Sequence, residues 1–218
     1  MIERIIVGPE HTNTFVVSIG KKECLLIDPG AEGKEIVHRL DIVNFRPMMI
    51  IFTHGHLDHV AATAAIVDHY DHHIEVGIHP DDNRFLGKTA YKEHKKVYDS
   101  LGVSEVDFEE VFRPIPDPTF TFEDGDTIGE SDLAVIHTPG HTPGSVCFYS
   151  EERNALFSGD TLLFKSIGTT EVPKGDKDKL LSSIRDKLFA LPEQTRLFPG
   201  HGPLSSLERE MRNSPALR

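Results

Sequence analysis

Seven side chains of metal-binding type occupy four short segments of the chain. His54, His56, Asp58 and His59 lie in Thr53-His54-Gly55-His56-Leu57-Asp58-His59, and His141, Asp160 and His201 follow downstream. Imidazole and carboxylate donors together suit first-row metals such as zinc, iron or manganese, with no need for a thiolate. Four candidates within six residues exceed what one tetrahedral ion takes from a single loop. With three more behind them, the count fits two divalent ions, zinc above all, sharing a bridging ligand. Gly55 is expected to turn the backbone tightly, so that His54 and His56 project toward one point. Asp58 and His59 then reach a second point close by. Helix capping is the plainer role for Asp58, and turn geometry the plainer one for His141, Asp160 and His201, each next to a glycine. Three such residues at strand ends, behind a cluster that already wants partners, favour the shared metal site. The other histidines read differently. His11, His38, His69, His72, His73, His94 and His137 are expected to be exposed or hydrogen-bonded, and His79 to approach the pocket with no need of a metal.

The elements that must position these residues follow from patterning. Ile2–Val7, Thr14–Ile19 and Glu23–Asp28 read as strands, separated by Gly8-Pro9 and Gly20-Lys21-Lys22. Lys34–Val43 has helical periodicity through Ile36, Val37, Leu40 and Val43. Met48–Phe52 is a continuous apolar run, as in a strand buried on both faces. The histidine cluster comes at its end, followed by an alanine-rich helix over Val60–Val67. Ile74–Ile78 resumes the sheet, and residues 80–115, with a helix over Tyr91–Leu101, read as an insertion near the active site. Phe120–Phe122, Thr127–Ile128, Leu133–His137, Ser145–Ser150 and Ala155–Ser158 are strands, with Asp124-Gly125-Asp126 as a hairpin turn. Asp176–Leu191 reads as a helix whose inner face carries Leu180, Leu181, Ile184, Leu188 and Phe189. Thr195–Pro199 is the last strand and Leu204–Arg212 the final helix. Strands then helix, twice, with no linker, predict one α/β domain over 1–218: two sheets face to face with helices outside.

Composition narrows the function classes. At 218 residues with 38% hydrophobic and 27% charged side chains, the chain has the makeup of a globular domain with one well-buried core. No apolar run approaches the roughly 20 residues of a membrane span, and Met1–Val7 reads as a strand rather than a signal peptide. Cys24 and Cys147 lie inside strand-like runs and read as buried thiols, so the cytoplasm is the expected compartment. A net charge of −12 disfavours nucleic acid and anionic membrane as partners. A small molecule is the expected partner.

The four segments resemble those of the metallo-β-lactamase-fold hydrolases, over nearly the whole chain. Thr53–His59 carries the resemblance together with His137-Thr138-Pro139-Gly140-His141-Thr142-Pro143-Gly144-Ser145, Phe157-Ser158-Gly159-Asp160-Thr161-Leu162 and Phe198-Pro199-Gly200-His201-Gly202. The resemblance implies an αββα sandwich. It implies that His54, His56 and His141 hold one metal, that Asp58, His59 and His201 hold the other, and that Asp160 bridges. Within the superfamily the chain is most similar to the small glyoxalase II-type proteins, the hydroxyacylglutathione hydrolases, through the His141 and Asp160 segments. That similarity implies hydrolysis of a small thioester, or a related ester or lactone, by a metal-bridging hydroxide, with Asp58 both ligating and accepting its hydrogen bond. The chain departs from these enzymes at Thr169, where they carry a Lys or Arg that contacts glutathione, and in the short stretch after His201. Glutathione thioesters are therefore expected to be poor substrates, unless Lys88, Lys92, Lys95 or Lys96 supplies the charge. Persulfide dioxygenases resemble the same framework and hold one iron through residues matching His54, His141 and Asp160. Such an oxidoreductase is the alternative.

Overall fold

Six strands form the first sheet of the computed structural model, which describes residues 1–217. They are β1 (Ile2–Val7), β2 (Thr12–Ser18), β3 (Glu23–Ile27), β4 (Arg46–Ile51), β5 (Glu75–Ile78) and β6 (Phe120–Thr121), adjacent in that order. The first three pair antiparallel, and β3 to β6 pair parallel. The second sheet contains β7 (Ala134–His137), β8 (Val146–Ser150), β9 (Ala155–Gly159), β12 (Arg196–Pro199) and β13 (Ser205–Ser206), in the order β13-β12-β9-β8-β7. Between β9 and β12 the chain makes a small hairpin, β10 (Leu162–Leu163) with β11 (Ser166–Ile167), which the patterning did not reveal.

The buried side chains sort into three layers. Phe15, Leu25, Ile27 and Ile51 meet Val135, Phe148, Phe157 and Phe198 between the sheets. Three of those rings pack edge-on or tilted, with Phe15 and Phe198 5.2 and 5.1 Å from Phe157. On the outer face of the first sheet, Val16, Leu26, Ile50 and Val76 lie under Ile36, Leu40, Ile66, Val97 and Phe108. These belong to the helices α1 (Gly33–Val43), α3 (Thr63–Val67), α4 (Ala90–Ser100) and α5 (Glu105–Val111). On the outer face of the second sheet, Cys147, Leu156 and Leu197 meet Leu180, Ile184, Leu188 and Leu207. Alternate residues of β3 and β4 thus enter different cores, which is why those strands read as unbroken apolar runs. The architecture is the expected αββα sandwich.

Several expected boundaries are corrected. The single helix over Val60–Val67 is two short ones, α2 (Leu57–Val60) and α3, because Ala62 N–H turns aside to donate to Pro29 O. The helix over Asp176–Leu191 is α-helical only in α6 (Lys177–Ser182), widens to a π-turn over 183–187 and ends as a 3₁₀ turn. The Ser183 hydroxyl and the Lys187 ammonium donate to Pro139 O and His137 O there, while Leu180, Ile184 and Leu188 stay on the core. Thr127–Ile128 is reduced to a single bridge from Thr127 to Ala134. The last helix, α7 (Leu207–Asn213), starts later than expected because Ser205 and Ser206 pair with β12 and Ser206 caps the helix.

At one end of the sandwich the two sheets are stitched by backbone hydrogen bonds. Val146 N–H donates to Thr53 O at 2.7 Å and Asn13 N–H to Gly200 O at 2.7 Å, while within the second sheet Gly200 N–H donates to Gly159 O at 2.8 Å. The segments that follow β4, β7, β9 and β12 meet at this end.

Candidate metal centre

All seven candidates from the sequence are brought together here, in two groups. His141 Nε2 lies 3.2 Å from His54 Nε2 and 2.9 Å from His56 Nδ1. His201 Nε2 lies 3.2 Å from His59 Nε2 and 3.2 Å from Asp58 Oδ2. Ligand atoms held 2.0–2.1 Å from a tetrahedral ion stand roughly 3.3 Å apart, so each group is spaced for one ion. Asp160 stands between them. Its Oδ1 is 3.7 Å from His59 Nε2 and 3.6 Å from His201 Nε2, and its Oδ2 is 3.7 Å from His141 Nε2. Oδ1 is buried without a hydrogen-bond partner, an orphaned carboxylate oxygen that a cation would satisfy. The donor set therefore fits two metal ions with Asp160 shared.

Four of the five imidazoles, those of His54, His59, His141 and His201, are oriented by the second nitrogen. His141 Nδ1–H donates to Thr169 O at 2.7 Å and His201 Nδ1–H to Glu10 O at 3.0 Å. His59 Nδ1–H donates to Asp28 Oδ2 at 3.0 Å. The Thr53 hydroxyl donates to the same carboxylate at 2.6 Å and leaves its oxygen to His54 Nδ1 at 3.2 Å. Such contacts fix the tautomer and point the free lone pair at the shared centre. Thr169 thus serves the site through its backbone carbonyl.

Electrostatics separate the two groups. Burial first, then the neighbouring imidazoles, pull the pKa of His54 and His56 well below the histidine range, so both are neutral and ready to ligate. Burial works the same way on His59, but Asp58 and Asp28 outweigh it and raise its pKa well above that range. His201 is also raised, burial being outweighed by Asp58 and Asp160. Burial pushes the Asp58 carboxyl up, yet His59 and His201 hold it well below the usual carboxylate range.

The Gly55 expectation is corrected. Its φ is not left-handed; a Cβ there would lie 2.3 Å from the Phe85 ring, so close approach rather than a tight turn demands glycine. Gly200 is demanded by the site itself, since a Cβ would stand 2.5 Å from Asp160 Oδ1 and 2.8 Å from His59 Cε1. Asp58 caps nothing: its carboxylate accepts from the Thr12 hydroxyl at 3.2 Å and faces His59 and His201. Lys95 and Lys96 pair with Asp99 and Glu93 on α4, and none of the four lysines lines the cavity beside Asp58. Both cysteines are buried and free, with burial raising Cys24 to about 12 and Cys147 to about 11, so neither serves as a thiolate.

Two contributors were missed. Asp28 serves both groups, and its only signal was a strand end before Pro29-Gly30, the pattern shared by the ligand segments. Asp82 is fully buried and accepts from Gly55 N–H, Gly144 N–H and the Thr142 hydroxyl, tying the His54–His59 loop to the His141 loop. Nothing in its polar surroundings in the sequence marked it. His79, His137 and Asp81 also approach one another, but the two rings stack face to face at 4.2 Å and 12°. His79 Nδ1 accepts from Asp81 N–H, and His137 Nε2–H donates to Pro143 O. In-plane lone pairs of stacked rings do not converge, so hydrogen bonding accounts for that trio. His94 is fully buried and hydrogen-bonded, its Nε2–H donating to Phe85 O, in keeping with a histidine that binds no metal.

Known proteins are similar to this chain along nearly its whole length. The family model of the metallo-β-lactamase superfamily matches residues 7–201. Hydroxyacylglutathione hydrolase GloC of Haemophilus influenzae is 30% identical over 99% of this chain and 97% of its own length. The probable metallo-hydrolase YqgX of Bacillus subtilis is 32% identical over 98% and 96%. Among solved structures, the BLEG-1 B3 metallo-β-lactamase superposes with a TM-score of 0.84 at 35% identity, covering 100% and 99% of the two chains. TTHA1623, solved in a di-iron-bound form, gives 0.83 at 32% identity, covering 98% of each. ETHE1 of Myxococcus xanthus, at 21% identity, shares the fold. Full-length matches in sequence and in structure, on a chain whose seven donors converge at one end of an αββα sandwich, place this protein in the metallo-β-lactamase superfamily.

Proposed function

We propose that the protein is a metal-dependent hydrolase of a small thioester or related ester, with His54, His56 and His141 holding one ion, Asp58, His59 and His201 the other, and Asp160 between them. The observation that carries this reading is the orphaned Asp160 Oδ1, set between two groups of donors each spaced for one ion. Two bound dications supply Lewis acidity and an ionised water near neutral pH. The chain's own residues do the rest. Asp28 and the carbonyls of Thr169 and Glu10 fix the imidazoles, so little reorganisation is needed on substrate arrival. Asp58, held ionised, has a carboxylate oxygen at the cavity edge that accepts a hydrogen bond from the attacking nucleophile. Buried, protonated cysteines and the absence of any need for a side-chain nucleophile fit direct attack by water. Thioesters suit such a site because a thiolate leaves with little protonation. Likeness to GloC supports that substrate class, and likeness to a protein solved with two irons leaves zinc and iron both in play.

Metal content of protein purified without added metal, measured beside turnover of S-lactoylglutathione and smaller thioesters, tests the reading. Two ions per chain with thioester turnover is the expected result. One iron with oxygen consumption on a persulfide would overturn it in favour of a dioxygenase.

A further inference from the structure

A cavity of about 280 Å³ opens beside Asp58. Thr12, Leu57 and Asp58 form the side that belongs to the metal centre, and Tyr98, Val111 and Arg113 form the side contributed by α4, α5 and the residues after them. Tyr98 is half-buried, its ring packed against Phe108 at 5.1 Å. Among the described residues nothing accepts a hydrogen bond from its hydroxyl. Burial, then the Asp58 and Glu10 carboxylates, hold that phenol protonated well above its ordinary range, so it is a donor at any working pH. Thr12, the other hydroxyl of the cavity, is already committed to Asp58. Charge around the cavity is lopsided: Glu10 and Glu110 line it beside Asp58, against Arg113 alone.

We propose that this cavity receives the acyl arm of the thioester, favours neutral arms over anionic ones, and uses Tyr98 to orient an arm that carries an oxygen. The inference rests on the hydrolase reading above. Ligand pockets for whole small molecules span about 300–1,000 Å³, so a cavity at the foot of that range takes one arm of a substrate, and the acyl side is the arm attached to the carbonyl next to Asp58. Two carboxylates beyond Asp58 remain when a metal neutralises the latter, and an anionic arm would have to sit between them with one guanidinium for company. A neutral arm meets Val7, Ala31, Leu57, Ala61 and Val111 instead, which gain from being covered. Tyr98 is a positioning residue: it acts on the arm, not on the scissile bond.

N-acetylcysteamine thioesters of butyrate, 3-hydroxybutyrate and succinate read the proposal on metal-loaded enzyme. Wild type is expected to turn over the butyryl ester at least fivefold better in kcat/KM than the succinyl ester, and Glu110→Gln to narrow that gap. The 3-hydroxybutyryl ester is expected to exceed the butyryl ester by about three- to tenfold, the range of one net hydrogen bond. Tyr98→Phe should erase that advantage through KM and leave butyryl turnover within about twofold. Equal use of succinyl and butyryl esters by wild type, or a Tyr98→Phe variant that keeps the hydroxyl preference or slows every ester alike, would overturn the proposal. Failure of wild type on all three esters would sink the hydrolase reading instead. The cavity is then read by NMR titration with 3-hydroxybutyramide: several-fold weaker binding to Tyr98→Phe than to wild type supports it, and equal binding overturns it.

Discussion

Asp160 is the residue on which the proposed two-ion centre turns, because its two carboxylate oxygens face donors of both groups. Asp160→Asn keeps the shape and removes one charge from between two cations. Both ions should bind more weakly, by tenfold or more each, and turnover should fall below detection, as read by metal titration and thioester kinetics. Asp176→Asn is the control: Asp176 is half-buried, outside both groups of donors, and accepts from Lys179 N–H at the start of α6. Asn caps a helix as well as Asp does, so this change should leave the fold and both ions in place. The opposed shifts among the histidines give a pH prediction at the same scale. His59 and His201 have raised pKa values and must each lose a proton to ligate, whereas His54 and His56 are already neutral. The ion held with Asp58 should therefore leave first as pH falls below neutrality, and equilibrium dialysis should show bound metal dropping from two per chain to one before reaching zero. In metal-free protein the sign reverses. A His59 raised above its unfolded value near 6.5 stabilises fully below that pH, and the stability is lost as pH rises through the raised folded value.

Secondary-structure elements act here mainly through their ends. β4, β9 and β12 are held by the sheets, and the residues just beyond them inherit that rigidity, so ligand positions are set to a fraction of an ångström by strand register. The loop after β4 and the turn between β7 and β8 come from different sheets and meet directly through the bond from Val146 N–H to Thr53 O. Asp82 reinforces that junction with three accepted hydrogen bonds. Asp82→Ala would strand two backbone N–H groups in the interior, each costing about 1–3 kcal/mol unless water replaces the carboxylate, while the Thr142 hydroxyl keeps the Ser145 hydroxyl as partner. A melting temperature lower by several degrees is expected. Affinity at the His54–His56–His141 group should fall by about 10–100-fold, the usual range for lost supporting contacts. Metal titration showing the two ions equally weakened, or neither, would remove Asp82 from its role as the tie for that group.

Taken whole, the molecule is acidic, with a net charge of −12, and has no helix among the described residues long and apolar enough to cross a membrane. The centre itself would be cationic when loaded, but its approaches are not. S-lactoylglutathione brings two carboxylates to a face where Thr169 offers a carbonyl to His141 rather than a basic side chain to the substrate. One exposed ion pair forgone is worth about 1 kcal/mol or less, so kcat/KM should be several-fold lower than for a comparable uncharged thioester, and the deficit should shrink as salt rises. The core that carries this face is the Phe15–Phe157–Phe198 cluster between the sheets. Phe157→Ala should cost about 3–5 kcal/mol, measurable by chemical denaturation, and would shift β9 and so Asp160 at its end.

Chemistry-bearing residues were legible in the sequence because chemistry restricts residue type locally. His-x-His-x-Asp-His, and single ligand types beside glycine at strand ends, stand out without any fold. The four layers were legible for a similar reason, since burial on both faces leaves unbroken apolar runs in β3 and β4 and burial on one face leaves a helical period in α1. Gly55, Asp28 and Asp82 were not, because each is explained by a partner distant in sequence: the Phe85 ring, His59, and the His141 turn. The broken helices at 57–67 and 177–190 belong with them, as Pro29 O takes the Ala62 N–H that local periodicity would have kept in the helix, and Pro139 O and His137 O hold the Ser183 and Lys187 side chains at the second break. Sequence alone thus determined which donors exist and the alternation that builds the sandwich. Tertiary structure decided the spacings at which six donors gather in two groups about Asp160, a division the sequence implied only through resemblance, because hydrogen bonds and close packing between segments tens of residues apart are set by the folded chain and leave no periodic mark in it.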